Sequence, residues 1–570
     1  MKVCVVGAGP CGLTTVKQLL DEGHQVTCYD RNDELGGIWY RHAGDDAHAK
    51  AFDNLYLTVS MRLMAYSDLP FRGGRKFFTR QQYHDYLLGY ADKFGLNEHI
   101  SSGCEVVDVV RTGRRWTVTY RHDGELASEE FDAVAVCSGP FKTPNAAIAE
   151  LAGFEGRIVH SAQYRNSSPF EGKRVLIVGL AESGADIIRE IGDVASASTL
   201  SIRSYTYLLP RVFNETRSTD NGTVRSHHHE MLRRATDYPF PYESFWGSNP
   251  IAKAVFLAFS VVLGVATTAL GALKMLRDKL TPRWRGAEPK TNPFGEPVKP
   301  PKLDLGVEHT DAYFDMIRTW NRRSHPDGSW SQRGIFCKNV SFIPSIVDGV
   351  VELNDAGIER AEGSRVYFKD GASAEFDAVV LCTGYEHDFS LGELEVPENN
   401  VRNLYRHLIH PEHEGTVAFI GLTRPFSGGI PICAEMQARY FARLLNGHVQ
   451  LPKKLDAVID EERQWEEYWT ALSPRATEAL PSQVIYLDAL AREIGCMIPM
   501  RKMLLSPKLF IQLWFGSFNQ SSYRVVGPHN LGDAALEDLY SEEVDNRREM
   551  AFRMSMLQLL PSSVHPKHMM

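Results

Sequence analysis

No C-x-x-C pair occurs anywhere in this 570-residue chain, and its nine cysteines are scattered singly. That excludes a locally encoded zinc knuckle or redox-active dithiol, and an odd count without a framework points to a reducing compartment. No basic tail or basic run is present and the net charge is -9, which argues against a nucleic-acid partner. A secretory leader is not expected, because the first residues, MKVCVVGAGPCG, read directly as a buried strand entering a glycine turn. The expected compartment is the cytoplasm. No metal site is expected: His227, His228 and His229 are adjacent, cannot all face one ion from a regular element, and read as solvated loop residues. What is present is an ordinary globular composition, 43% hydrophobic and 23% charged, in a chain long enough for several cores.

Lys2 to Gly7 is a short apolar run rich in β-branched residues. Gly7, Gly9 and Gly12 follow in G-x-G-x-x-G spacing, with Pro10 and Cys11 between them, before the helical pattern LTTVKQLLDEG. Such glycines allow a tight turn and close approach to a pyrophosphate at a helix N-terminus. The next strand, HQVTCYD, ends in Asp30, at the distance where a carboxylate reaches a ribose hydroxyl. A second copy, KRVLIVGLAESGADIIREI, places Gly179, Ala181 and Gly184 in the same three positions, with Ser183 beside them. Its following strand, STLSIRS, runs to Arg203 rather than to an acid, and a guanidinium there suits a 2′-phosphate, so NADPH is preferred to NADH.

FDAVAVCSG (131–139) and FDAVVLCTG (376–384) share six of nine positions, and each reads as a buried strand leading to a glycine crossing. Each could close one nucleotide-binding half. The second half is the longer, so something is inserted after LLPR (208–211). The insert holds a charge-free apolar stretch, 254–273, and a proline-rich linker. At that length the stretch reaches the minimum for a membrane span, and Lys274, Arg277 and Lys279 follow it. A single crossing would put Arg203 and Gly384 of one half on opposite sides of a bilayer, and two crossings do not fit. The stretch is therefore expected to lie in one leaflet as a peripheral contact, or to be a buried helix or a homo-oligomer contact. After Gly384 the chain returns through VAFIGLTRPFSGGIPICAEMQARYFARLL, a strand, glycine-rich turn and helix.

FEGRIVHSAQY carries Phe154, Gly156, His160 and Tyr164 at the spacing F-x-G-x-x-x-H-x-x-x-Y, upstream of the second nucleotide strand. In chain order stand also ELGGIW with Gly37, Ile38 and Trp39, then MAYSDLP (64–70), YLLGYADKFGL (86–96), CTGY with Thr383 and Gly384, and YRVVGP (523–528). On these motifs, which cover nearly the whole length, the chain resembles the flavin-containing monooxygenases. The resemblance implies an α/β fold of two Rossmann-like dinucleotide-binding domains, the FAD domain interrupted by the NADPH domain, here with an apolar helical insert. The organisation expected is a FAD domain at 1–165 and 386–450, an NADPH domain at 166–211 and 331–385, an insert at 212–330, and a C-terminal extension at 451–570.

The activity the resemblance implies is FAD- and NADPH-dependent insertion of one atom of O2, through a C4a-hydroperoxyflavin, into a nucleophilic, lipophilic small molecule containing nitrogen or sulfur. His160 is then a positioning group in the linker. One departure matters. Where many members carry an Asn that holds the peroxide, this chain has Thr58, a shorter donor, so that Thr58 acts through water or Ser60 serves instead. Thr58 keeps an NADPH oxidase or dehydrogenase reading open. A Baeyer-Villiger enzyme is disfavoured because Tyr164 is followed by Arg165.

Overall fold

The computed structural model describes residues 1–41, 51–73, 76–180, 182–214, 217–234, 241, 245, 250–280, 302–304, 307–308, 310–324, 337–386, 388–425, 427–470, 479–480 and 482–541. Two five-stranded parallel sheets organise it. In chain order their strands are β1 (Lys2–Val6), β2 (Gln25–Tyr29), β3 (Ile100–Ser101), β4 (Ala133–Val136), β5 (Arg157–His160), β6 (Arg174–Val178), β7 (Ala197–Ser201), β8 (Glu352–Asn354), β9 (Ala378–Leu381) and β10 (Val417–Phe419). The first sheet runs β10-β4-β1-β2-β3 and the second β8-β7-β6-β9-β5. The chain thus leaves the first sheet after β4, builds the second, and returns to lay β10 beside β4. The FDAV repeats are β4 and β9, each parallel to the first strand of its half.

Continuous apolar runs form these central strands because both faces are covered. Val3, Val5, Val134, Leu176 and Val380 are fully buried, and each such side chain contributes about 1.5–3 kcal/mol. Before each FDAV strand the chain makes a three-stranded antiparallel excursion, 104–131 in the first half and 358–375 in the second. The strand carrying the FEGRIVH motif, β5, pairs in register with β9, from Arg157 beside Ala378 to His160 beside Leu381.

The helices that bear on the site are α1 (Pro10–Asp21), α2 (Arg80–Lys93), α3 (Glu182–Gly192), α4 (Arg225–Arg234), α5 (Pro250–Leu280), α6 (Ile430–Leu445), α7 (Gln483–Ile494) and α8 (Pro507–Trp514). The expectation for the three histidines is corrected here. They lie on α4, and His228 and His229 are buried. The Ser482 hydroxyl meets His228 Nδ1 at 2.8 Å, and His229 Nε2 donates to Asp488 at 2.8 Å. Arg225 also grips Asp488, with Nε 3.0 Å from Oδ2. Burial pushes the His228 imidazole down to about 3, so that ring is neutral. Among the described residues no cluster suited to a metal ion is found.

The apolar stretch lies within α5. Phe256 and Ser260 on one face of α5 meet α8, where Trp514 Nε1 donates to Ser260 at 3.2 Å and Phe256 packs on Phe510 at 5.0 Å. Ile251, Val255, Val262, Val265 and Leu273 share the opposite face and are exposed. Among the described residues no helix is long and apolar enough to cross a membrane.

The SDLP and YRVVGP motifs meet in one buried ion network. Arg524 Nη2 lies 2.9 Å from Glu435 on α6 and 3.2 Å from Asp68, and Lys17 on α1 lies 2.9 Å from Asp68. Burial alone would raise the Asp68 carboxyl, but Arg524 and Lys17 outweigh it and hold the group below its ordinary range. Such a group's contribution is present above the unfolded carboxylate pKa and is lost as pH falls through the depressed value. Arg524→Met leaves two buried carboxylates with one ammonium and should cost about 3–5 kcal/mol. Thermal unfolding checks this against Arg365→Met, which removes the exposed Arg365–Glu375 pair and should cost under about 1 kcal/mol.

Candidate active site

At the end of β1, Gly7 has φ +101°, and a Cβ there would stand 2.9 Å from the Cys137 carbonyl oxygen. The chain passes too close to the FDAV crossing for any side chain. A Cβ on Gly12 would lie 1.7 Å from the Gly7 oxygen, and one on Gly37, whose φ is +57°, would lie 2.9 Å from Gly9 Cα. Pro10 occupies the first helical position of α1, where its missing N–H costs nothing, and no side chain caps the helix. Glycine packing and an uncapped N-terminus leave a cradle of backbone amides that fits a pyrophosphate. Cys11 closes the turn from below: a Cβ on Gly421, just after β10, would be 2.2 Å from its sulfur. Ile38 and Trp39 are half-buried, with the Trp39 ring edge-on to Tyr83 at 4.8 Å.

Asp30 lies buried at the end of β2, where its carboxylate accepts from the Ala8 amide at 2.5 Å and the Asn32 amide at 2.8 Å. It therefore holds the glycine turn. A carboxylate at the end of this strand is also the group that accepts from a ribose hydroxyl in this fold.

The second turn repeats the construction. Gly179 has φ +91° and a Cβ there would stand 2.8 Å from the Cys382 oxygen, while one on Gly184 would meet Cys382 Cβ and the Gly179 oxygen at 3.2 Å. Ala181 lies outside the described residues. Ser183 is exposed in the first turn of α3. Arg203, just past β7, is exposed and passes 3.7 Å from a Cβ built on Gly357, near Tyr205, which bonds Asp355 at 2.5 Å. An exposed guanidinium at that strand end suits a 2′-phosphate.

Each residue of the FEGRIVHSAQY motif has a physical task. Phe154 is buried in the second half, and a Cβ on Gly156 would strike its ring at 2.5 Å. His160 Nδ1 accepts from the Ala162 amide at 3.1 Å, which leaves the proton on Nε2, donated to the Gly384 carbonyl at 3.0 Å. Gly384 is at φ +81° and Thr383 Oγ1 donates to Asn145 at 2.5 Å, so β9 leads straight into the linker contact. The Tyr164 hydroxyl donates to Glu190 of α3 at 2.7 Å, and its ring packs on Phe52 and Phe170.

On the other side, Thr58 is half-buried at a bend and Ser60 is fully buried. The Ser60 amide donates to Asp220 at 2.6 Å, whereas the Ser60 hydroxyl has no partner among the described residues. Arg211, fully buried, reaches Asp186 of α3 at 3.3 Å and the Leu57 carbonyl at 3.4 Å. Sequence reasoning missed Asp220, Arg211 and Asp186, whose partners are far away along the chain and leave no local signal.

A family model described as flavin-binding monooxygenase-like matches residues 1–240 and 327–543. A 4-hydroxybenzoate brominase (decarboxylating) of Pseudoalteromonas luteoviolacea (strain 2ta16) is 33% identical, over 95% of this chain and 92% of that protein. Flavin-containing monooxygenase 2 of Homo sapiens is 27% identical, over 92% and 89%. The solved structure of S-allyl-L-cysteine S-oxygenase from Allium sativum shares the fold, with TM-score 0.55 and 22% identity over 88% of this chain and 91% of that one.

Gly12→Ala must displace the Gly7 carbonyl and should yield folded protein that purifies without bound dinucleotide, seen as loss of visible absorbance. Gly89→Ala, mid-helix on α2 with open space around it, should keep the cofactor and gain about 0.5–1 kcal/mol.

Proposed function

Because this chain belongs to the flavin-binding monooxygenase-like family, it is a FAD- and NADPH-dependent monooxygenase, and we propose that it oxygenates a nucleophilic, lipophilic small molecule at nitrogen or sulfur. The observation that carries the reading is the pair of turns, at Gly7 and Gly179, each leaving no room for a Cβ beneath an FDAV crossing. When bound, the two cofactors supply hydride transfer to flavin and activation of dioxygen.

The chain's own residues do the rest. We assign the FAD pyrophosphate to Gly7, Gly9, Pro10, Cys11 and Gly12 at the α1 N-terminus, with Asp30 toward the ribose and Gly37, Ile38 and Trp39 covering the turn. Gly179, Ala181, Ser183 and Gly184 take the NADPH pyrophosphate, Arg203 its 2′-phosphate, and Thr383 and Gly384 the crossing between halves. His160 holds the linker and positions rather than transfers protons, since both its ring nitrogens are engaged with backbone. Thr58 and Ser60 offer hydroxyls on the oxygen side, and the Ser60 hydroxyl, buried with no partner among the described residues, supports it as the donor. The domain limits follow the same reading, with FAD parts at 1–165 and 386–450 and NADPH parts at 166–211 and 331–385, except that β5 (Arg157–His160) pairs into the second sheet.

A second reading comes from the brominase. The Pseudoalteromonas relative is more similar than the human monooxygenase, which favours a phenolic acid with halide as the acceptor of the activated oxygen. Purified enzyme reduced anaerobically by NADPH and then mixed with oxygen tests both. With an amine or sulfide, the expected result is one oxygenated product per NADPH. A brominated phenol from 4-hydroxybenzoate and bromide would move the assignment to halogenation, and stoichiometric hydrogen peroxide under every condition would sink both.

Arg203→Ala should weaken NADPH about 10- to 100-fold, as expected for loss of one charge-assisted contact, and leave NADH unchanged. Steady-state KM values for the two nucleotides check it. The exposed apolar face of α5 supports a peripheral membrane contact for a cytoplasmic enzyme. Val262→Glu with Val265→Glu should abolish sedimentation with phosphatidylcholine vesicles while the melting temperature holds. Loss of a dimer instead, by light scattering, would assign that face to a second copy.

A further inference from the structure

Three stretches that are remote in sequence converge on Asp220. Its carboxylate is buried, with 1% exposure, and comes from the short turn Thr219–Gly222 at the start of the insert. One oxygen accepts the Ser60 amide at 2.6 Å, and the other is paired with the Lys338 ammonium. The turn is itself fixed: the Asp220 amide donates to Ser218 Oγ at 3.1 Å, and Ser517 Oγ donates to the Asn221 carbonyl at 3.0 Å. Lys338 is tied at its backbone, where its amide donates to Glu182, the first residue of α3, at 2.8 Å. A continuous path therefore runs from the Thr58–Ser60 bend, through Asp220 and Lys338, to the N-terminus of α3, whose turn is the one assigned above to NADPH.

A single carboxylate is the group this place requires. It must accept from an N–H on one side and neutralise an ammonium on the other, in a site closed to water where an uncompensated charge is costly. An Asn could accept from only one of the two and would turn N–H2 toward the other. Glycines and apolar side chains would satisfy neither.

We propose that Asp220 is a positioning residue for the oxygen-transfer reaction, tying the Thr58–Ser60 bend to the nicotinamide-nucleotide half through Lys338. The proposal rests on the reading of that bend as the oxygen side. Its consequence is that the Ser60 hydroxyl is held in place only while Lys338 and the α3 N-terminus are in register, so the two halves are set together.

The test uses holoenzyme carrying Asp220→Asn, Lys338→Met, both changes, or Asp220→Glu. Hydrogen peroxide released per NADPH, the anaerobic rate of flavin reduction, and NADP+ titration followed in the visible spectrum of the oxidised protein are measured on each. Asp220→Asn and Lys338→Met should each raise the peroxide fraction or weaken NADP+ by about tenfold, the size of a lost charge-assisted hydrogen bond. Anaerobic reduction at saturating NADPH should stay within about twofold, Asp220→Glu should recover part of the loss, and the double variant should be no worse than either single one. Should Asp220→Asn fail to fold, Lys338→Met alone carries the same judgement. Wild-type coupling and NADP+ affinity in either single variant, or strictly additive effects in the double, would overturn the proposal. The NADP+ titration needs no turnover, so a wild type that only makes peroxide would defeat the oxygenation reading while leaving this tie to be judged on binding.

Discussion

Everything in this protein depends on two places where backbone must pass backbone without a side chain between. Gly7 passes beneath the carbonyl of Cys137, and Gly179 beneath that of Cys382, with 2.9 and 2.8 Å left for a Cβ that is not there. Closing that gap brings the first turn of a helix to the end of a parallel strand. At α1 no side chain caps the helix start, and the amides of its first turn form an anion cradle. The same constraint explains the repeat in the chain: the residues before each crossing must be a fully buried strand, and both are FDAV followed by two apolar residues and Cys.

Two such halves make one enzyme only if they are held in register, and polar contacts from Leu57 and Ser60 contribute to this beside the packing of Phe52 on Tyr164. Arg211 spans from Asp186 of α3 to the Leu57 carbonyl and Asp220 joins Ser60 to Lys338, while His160 to Gly384 and Tyr164 to Glu190 fasten the FEGRIVH segment within the second half. Directional contacts of this kind specify one relative placement, whereas apolar packing tolerates sliding. The Arg524, Asp68 and Glu435 network gives the C-terminal segment the same function within the first half. These groups are retained at a desolvation cost, and their value lies in registry more than in stability.

The insert shows how a chain-level pattern can be right in outline and wrong in surroundings. The apolar stretch is helical as its length and composition imply, and it lays one face on α8. The adjacent histidines, polar and consecutive, carry every local sign of a solvated loop. They lie instead on α4, where His228 is buried against Ser482 and His229 is buried against the charged centre that Asp488 forms with Arg225 and Tyr523. Nothing near residue 228 announces a carboxylate 260 positions later.

By itself the sequence determined the elements whose signal is local: the glycine turns, the strands before them, the repeat that marks two halves, and the returning strand at 417–419. Each follows from steric exclusion or hydrophobic period within a dozen residues, and those forces act wherever the chain goes. Only the tertiary structure decided what the polar residues do. Asp30 binds the turn it follows, Ser60 keeps a hydroxyl without a partner among the described residues, and Asp220 stands between two halves that are separate in sequence. A buried polar group takes its role from the partner that satisfies it, and at Asp220 those partners arrive from more than 100 residues away.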